Sequence, residues 1–258
     1  MEKDMPQKER LNDIMYAYWD GRAEGFGFDT QNDSVAAMKA RIAPHLPKER
    51  SAVLDVGTGT GMVATAAALL GHEVTGVDFS EQMLVQAAAN SARYGVHPDY
   101  RQMNAVALTF PDDSFDVVIS RNVLWAIPHP EEALLEWQRV LKPGGLLIYM
   151  DGNQYFFLFD EANRRDREEF IRLRGTGTAH WIEKGEKDFD SSACDQASYD
   201  LPLSRFDRPH GWDEKVLPQL GFDILREEID RPQSLLKYGI AAGASTHFLI
   251  AAKNGKRL

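Results

Sequence analysis

Apolar side chains recur along this chain at two different periods, and the change of period divides it. Between residues 8 and 20 ("KERLNDIMYAYWD"), Leu11, Ile14, Met15, Tyr18 and Trp19 fall at i, i+3, i+4, i+7 and i+8, the spacing of one helix face. Three glycines in "GRAEGFGFDT" (21–30) break that pattern. A second helix is expected from Ser34, as its cap, to about Leu46, where Pro47 ends it. From residue 51 the rhythm changes: "AVLDVG", "HEVTGVDFS", "DYRQMNA", "FDVVISRNV" and "LLIYMD" are short apolar runs bounded by turn residues. Between them stand longer helical stretches, the Ala-rich "TGMVATAAALLG", then "SEQMLVQAAANSARYG" and "PEEALLEWQRVLKPGG". Gly71 and Gly95 close the first two of these helices, and Ser80 opens the second. Short strands alternating with helices of ten to fifteen residues predict βαβ units, hence an α/β fold with a parallel sheet covered on both faces.

Residues 155–210 depart from that rhythm. "YFFLFDEANRRDREEFIRLRG" predicts one long amphipathic helix, and the polar stretch after it carries scattered aromatics. The α/β pattern resumes in "GWDEKVLPQLGFDILREEI" and "ASTHFLIAAK". The expected organisation is an N-terminal helical cap (1–48), an α/β core (49–154 and 211–258) and an insert or lid (155–210).

Composition narrows the function class. The net charge of −10, without a long Lys/Arg run, disfavours nucleic acid as a partner. A single cysteine, Cys194, excludes an intramolecular disulfide, disfavours a thiolate metal cluster and has no neighbour that would activate it as a nucleophile. No metal is expected. The charged N-terminus lacks an apolar core, and the longest apolar runs are too short to span a bilayer, so a cytoplasmic protein without membrane contact is expected.

The candidate chemistry lies in "VLDVGTGTG" (53–61). Glycine at 57, 59 and 61, directly after a strand and before a helix, permits a sharp turn and a close approach of ligand to backbone. The second strand ends on Asp78, positioned to accept hydrogen bonds from two ribose hydroxyls. A dinucleotide remains open, because Gly59, Gly61 and Ala64 satisfy G-x-G-x-x-A. Against it stands Asp55, an acid at the strand tip that would repel a diphosphate and tolerate a cationic ligand.

With "VTGVDFSEQML" (74–84), "MNAVALTFPDDSFDVVISRNVLWAI" (103–127) and "RVLKPGGLLIYMD" (139–151) in the same order, the chain resembles the class I S-adenosylmethionine-dependent methyltransferases of the small-molecule branch. The resemblance covers about residues 50–150. It implies a Rossmann-like, doubly wound, mostly parallel seven-stranded sheet, with the insert after strand five. It also implies S-adenosylmethionine as cofactor and a small metabolite as substrate, and leaves room for a homodimer. Carried over by position, Gly57, Thr58, Gly59 and Gly61 would pack on the methionine part. Asp55 would hold the loop or reach the ammonium through water. Asp78 would take the ribose, and Phe79 and Met83 would flank the adenine. Asn104, Ala105 and Val106 would meet the adenine edge, with Asn104 where the family usually has an acid. Arg121 and Asn122 would line the methyl end. Tyr18 and Arg22 in the cap would meet the cofactor carboxylate. Trp19, Trp125 and Tyr155 are the expected substrate contacts.

No catalytic base stands out: His180, Tyr199 and His210 are candidates in the insert, beside Trp181. His72 is expected at the surface and Trp137 in the core. Two other uses of the cofactor stay open beside methyl transfer. One is transfer or cyclisation of its aminocarboxypropyl arm; the other is non-catalytic binding that senses the cofactor.

Overall fold

The computed structural model describes residues 7–23, 26, 28, 34–175, 192–230 and 247–255. Within them lie seven strands: β1 (Ala52–Val56), β2 (Glu73–Asp78), β3 (Asp99–Gln102), β4 (Phe115–Arg121), β5 (Leu141–Gly152), β6 (Phe222–Asp230) and β7 (His247–Asn254). They form one sheet in the order β3-β2-β1-β4-β5-β7-β6. The first five run parallel. β7 enters antiparallel between β5 and β6. Strand order reverses between β1 and β4, so a crevice opens at their C-terminal ends, where open α/β sheets bind ligands.

The helices are α1 (Gln7–Arg22), α2 (Val35–Ile42), α3 (Met62–Leu69), α4 (Glu81–Arg93), α5 (Pro130–Val140), α6 (Glu161–Gly175), α7 (Ser192–Ala197) and α8 (Asp213–Gln219). Alternation along the strands sends side chains to two cores. Leu54, Val56, Val118, Leu147 and Tyr149 meet Leu134 and Trp137 of α5 and Leu217 of α8 on one face. Val53, Val117, Ile119 and Ile148 meet Val35, Met38 and Ile42 of α2 and Val63 and Ala67 of α3 on the other. Burial of each large apolar side chain contributes about 1.5–3 kcal/mol. The caps sit where the chain chemistry puts them: Ser34 Oγ accepts from Ala37 N at 3.1 Å, and Ser80 Oγ from Met83 N at 3.2 Å.

Three expectations are corrected. α2 stops at Ile42, followed by turns to Leu46. The single helix expected from Tyr155 is a 3-10 turn at Phe156–Leu158 and then α6, because Asp160 Oδ1 accepts from Asn163 N at 2.9 Å and caps a new start. His72 is buried: its Nδ1 accepts from Ser51 N at 3.3 Å across the starts of β1 and β2, and burial lowers its pKa. Trp137 is a core residue as expected, fully buried. Within the expected insert, Leu203 belongs to the same core as β5, and Arg208 is fully buried. No helix among the described residues is long and apolar enough to cross a membrane.

Candidate functional site

β1 delivers the chain into the glycine loop with Gly57, Gly59 and Gly61 all at positive φ. At Gly57 a Cβ would lie 2.3 Å from Val123 Cγ2, so the loop following β4 packs where any side chain would stand. At Gly59 a Cβ would meet no atom within 4 Å; the loop there faces open space. Gly61 opens α3, and its carbonyl accepts from Thr65 Oγ1 at 2.6 Å.

Asp55 lies beneath this loop, 1% exposed. Its Oδ2 accepts from Thr58 Oγ1 at 2.6 Å and from Ala64 N at 3.0 Å. Of the two roles expected for it, holding the loop is the one these contacts perform. Burial pushes its pKa up from 3.8 to about 7. The folded protein therefore holds a proton there that the unfolded chain releases near pH 4. Asp55 opposes folding increasingly from pH 4 to 7, by about 4 kcal/mol at most. Both bonds fall on one oxygen, so asparagine can keep them. Asp55→Asn is expected to melt higher than the parent at pH 8.5 and by a much smaller margin at pH 5. Equal differences at both pH values in a thermal melt would refute this assignment.

Asp78 ends β2 beside the loop, 8% exposed. Its Oδ2 accepts from Gly59 N at 2.9 Å and its Oδ1 from Ser80 N at 3.0 Å. Two backbone donors thus aim the carboxylate while leaving it further lone pairs; burial raises its pKa. Met83 is buried on the first turn of α4. The Tyr16 ring of α1 packs on the Phe79 ring, with centroids 4.1 Å apart and the planes tilted by 38°. The Phe79 carbonyl accepts from the Tyr16 hydroxyl and from Gln102 Nε2 at 2.8 Å. Helical periodicity does not select Tyr16, which falls off the apolar stripe of α1. α1 is tied here a second time by Ser80 Oγ donating to Asp20 Oδ1 at 2.7 Å. The exposed Asn104 turns its Oδ1 onto Val106 N at 3.1 Å, and Trp137 Nε1 donates to Ala105 O at 2.9 Å, which pins that segment to the core.

The far wall follows β4. Arg121 Nη1 lies 3.3 Å from Met62 Sδ. Asn122 adopts φ 55°, a left-handed conformation that asparagine tolerates better than most residues. Its carbonyl accepts from Trp125 Nε1 at 3.1 Å. The Trp125 ring lies 6.2 Å from Trp19 and 5.4 Å from Tyr155. Met15, Cys194 and Leu201 complete this apolar cluster, with Tyr18 packed against it. Arg22 donates to Tyr18 Oη at 2.6 Å and stands over the rings of Tyr18, Trp19 and Phe26 at 5.4–5.6 Å. The structure thus brings Tyr18, Trp19, Arg22, Trp125 and Tyr155 together. Burial raises the Cys194 thiol pKa, the opposite of an activated nucleophile.

The base candidates do not join them. Tyr199 is exposed and packs on Phe159. His210 pairs with Glu214 at 2.8 Å and Glu227 at 3.7 Å, against the edge strand β6; the Glu214 bond raises its pKa. His180 and Trp181 lie outside the described residues. One group had no sequence signal: fully buried Arg208 bridges Asp151 at the tip of β5 and Asp213 of α8, each at 2.7 Å.

A glycine loop, an acid-tipped second strand and the crevice between β1 and β4 define a Rossmann-like nucleotide-binding protein. The profile of the "Methyltransferase domain" family matches residues 54–149. Ubiquinone biosynthesis O-methyltransferase of Hahella chejuensis is 30% identical over 182 residues, 69% of this chain and 74% of that protein. Phosphatidylethanolamine N-methyltransferase of Cereibacter sphaeroides is 36% identical over 117 residues, 44% of this chain and 56% of that protein. The chain spans only 56% of the length of that enzyme and 61% of the ubiquinone biosynthesis O-methyltransferase from the same species. A Mesorhizobium loti S-adenosylmethionine-dependent methyltransferase shares the fold, with TM-score 0.55 at 18% identity, over 83% of this chain and 96% of that one. The chain belongs to the class I S-adenosylmethionine-dependent methyltransferases.

Proposed function

We propose that this chain binds S-adenosylmethionine across the C-terminal ends of β1, β2 and β4 and passes its methyl group to a small-molecule acceptor. The observation that carries the reading is Gly59, open to empty space, with the Asp78 carboxylate fixed beside it. When bound, the cofactor supplies a methyl carbon already activated by a positive sulfonium. The protein then has to orient and to exclude water. Asp78 accepts the ribose hydroxyls; Phe79, backed by Tyr16, and Met83 flank the adenine; Asn104, Ala105 and Val106 border its edge. Gly57, Thr58, Gly59 and Gly61 form the floor, held from below by Asp55. Arg22, presented with Tyr18, meets the carboxylate. Arg121 and Asn122 border the methyl end, and Trp19, Trp125 and Tyr155 wall the acceptor. The domain division proposed is a cap to residue 48, the core, and an insert from 155 whose last residues, about Leu203 to Arg208, are anchored in that core.

The relatives' names divide between an oxygen and a nitrogen acceptor. The test therefore uses both, with phosphatidylethanolamine vesicles and a hydroxylated quinol as probes beside a metabolite extract. S-adenosylhomocysteine as the sulfur product supports methyl transfer. Methylthioadenosine would assign the aminocarboxypropyl arm instead, and binding without turnover a sensor. Trp125→Leu is expected to leave the Kd for S-adenosylhomocysteine within about threefold and to lower methyl transfer about tenfold, since it removes acceptor wall and no cofactor contact. An equal loss of both in calorimetry and rate assays would remove Trp125 from the acceptor wall.

A further inference from the structure

The tip of β5 carries a buried polar circuit that the proposed reaction does not use. Asp151 Oδ2 accepts from Trp125 N at 2.9 Å and from Arg208 Nη1 at 2.7 Å, so one oxygen holds both. Arg208 grips Asp213 with its other two nitrogens, Nε at 2.8 Å and Nη2 at 2.7 Å. Tyr149 Oη donates to the same Asp213 at 2.7 Å. Arg208 N donates to Asn153 Oδ1, and Asn153 Nδ2 to Asp207 Oδ1, each at 2.8 Å. Asp151, Arg208 and Asp213 are each at most 1% exposed. On one side the circuit ends in the loop that presents Trp125. On the other it ends in the last residues of the insert.

We propose that Asp151 and Arg208 are positioning residues for the acceptor side of the site: the carboxylate fixes the Trp125 wall by its backbone N–H, and the guanidinium ties that wall to the root of the insert. The inference rests on the reading of Trp125 as an acceptor wall. The loop is held at other points, with Leu124 buried in the core beside β5 and Val123 packed at Gly57, but neither of these reaches the Trp125 backbone N–H. Asn122 N donates to Met150 O at 2.8 Å, and the Trp125 indole bonds within the loop itself. The cofactor half is held separately, Asp78 by Gly59 and Ser80, and Asp55 by Thr58 and Ala64. A loss at Asp151 therefore frees the indole and leaves the cofactor's contacts in place. Val123 supplies the contrast, because it packs at Gly57. General collapse of the loop would carry the glycine floor with it.

The test labels the full chain with 5-fluorotryptophan and assigns the Trp125 resonance by its disappearance in Trp125→Phe. In Asp151→Ala the resonance is expected to move toward the position of free 5-fluorotryptophan, while the Kd for S-adenosylhomocysteine stays within about threefold. Asp151→Asn, which keeps an oxygen for both donors but turns its NH2 toward Gly152 N, is expected to bring the resonance most of the way back to the parent position. With whichever probe acceptor turns over, KM rises about tenfold in Asp151→Ala and returns in Asp151→Asn. Should Asp151→Ala not fold, Arg208→Lys, which gives up the forked grip on Asp213, is expected to shift the same resonance part of the way. An unmoved resonance in the soluble variant overturns the proposal. So does a loss of S-adenosylhomocysteine affinity that accompanies the shift. Failure of the parent to bind S-adenosylhomocysteine would instead strike the functional reading itself.

Discussion

Replacing Asp78 with alanine is expected to raise the Kd for S-adenosylmethionine by about a hundredfold or more. The carboxylate is held between Gly59 N and Ser80 N, with lone pairs left for a diol. A hydrogen bond to a charged group contributes about 1.5–3 kcal/mol, so two to a ribose amount to about 3–6 kcal/mol, or about 10² to 10⁴ in affinity. The variant also strands the two backbone donors and slackens the loop on which the methionine part lies. Asparagine should fall between: it keeps the shape but turns an NH2 toward one of the two N–H groups. Isothermal titration with the cofactor and its demethylated product measures both. A Kd within fivefold of the parent in Asp78→Ala would mean that the ligand sits elsewhere, and the reading of the whole crevice would go with it.

The placement of Asp78 beside the glycine loop was legible in the sequence because it is local. A strand, a glycine turn, a helix and an acid at the next strand tip lie within a few dozen residues, and their spacing carries the geometry. The Ser34 and Ser80 caps and the alternating strands were legible for the same reason, and so was Trp137 on the buried stripe of α5. Tyr16 was not, since helical periodicity selects Leu11, Met15 and their neighbours, and Tyr16 makes its contact only because α1 lies against the Phe79–Ser80 segment that follows β2. His72 looked exposed beside Gly71; its burial depends on β1 and β2 starting level, Ala52 beside Glu73. The break in the expected helix at Asp160 had a signal, an acid three residues before Asn163, which the amphipathic pattern outvoted. The Asp151–Arg208 contact joins residues 57 apart in the chain, and no periodicity in one sequence reports such a pairing.

That pairing yields the largest expected loss of stability. Arg208→Leu leaves Asp151 and Asp213 buried without their cation. Breaking a buried pair by removing one partner costs about 3–5 kcal/mol. For a chain of 258 residues that corresponds to a fall in Tm of about 10 °C. In the parent, burial pulls the Arg208 pKa down while the two carboxylates raise it further, so the cation persists at every working pH. Burial raises the Asp151 pKa, and Arg208 is the chief opposing influence. With the guanidinium gone, burial and the Asp213 charge are opposed mainly by the Gly152 N–H, and Asp151 takes up a proton in the folded state that the unfolded chain does not hold. Stability of the variant must then decline as pH rises above the unfolded carboxylate range. The deficit should be larger at pH 8 than at pH 5, where protonation relieves part of it. Adding Asp151→Asn and Asp213→Asn to Arg208→Leu should recover most of the loss, because neutral hydrogen-bonded groups carry a smaller desolvation penalty than bare charges. Chemical denaturation at the two pH values decides: a deficit below 1 kcal/mol at pH 8, or one that grows on acidification, contradicts a charged core at the tip of β5.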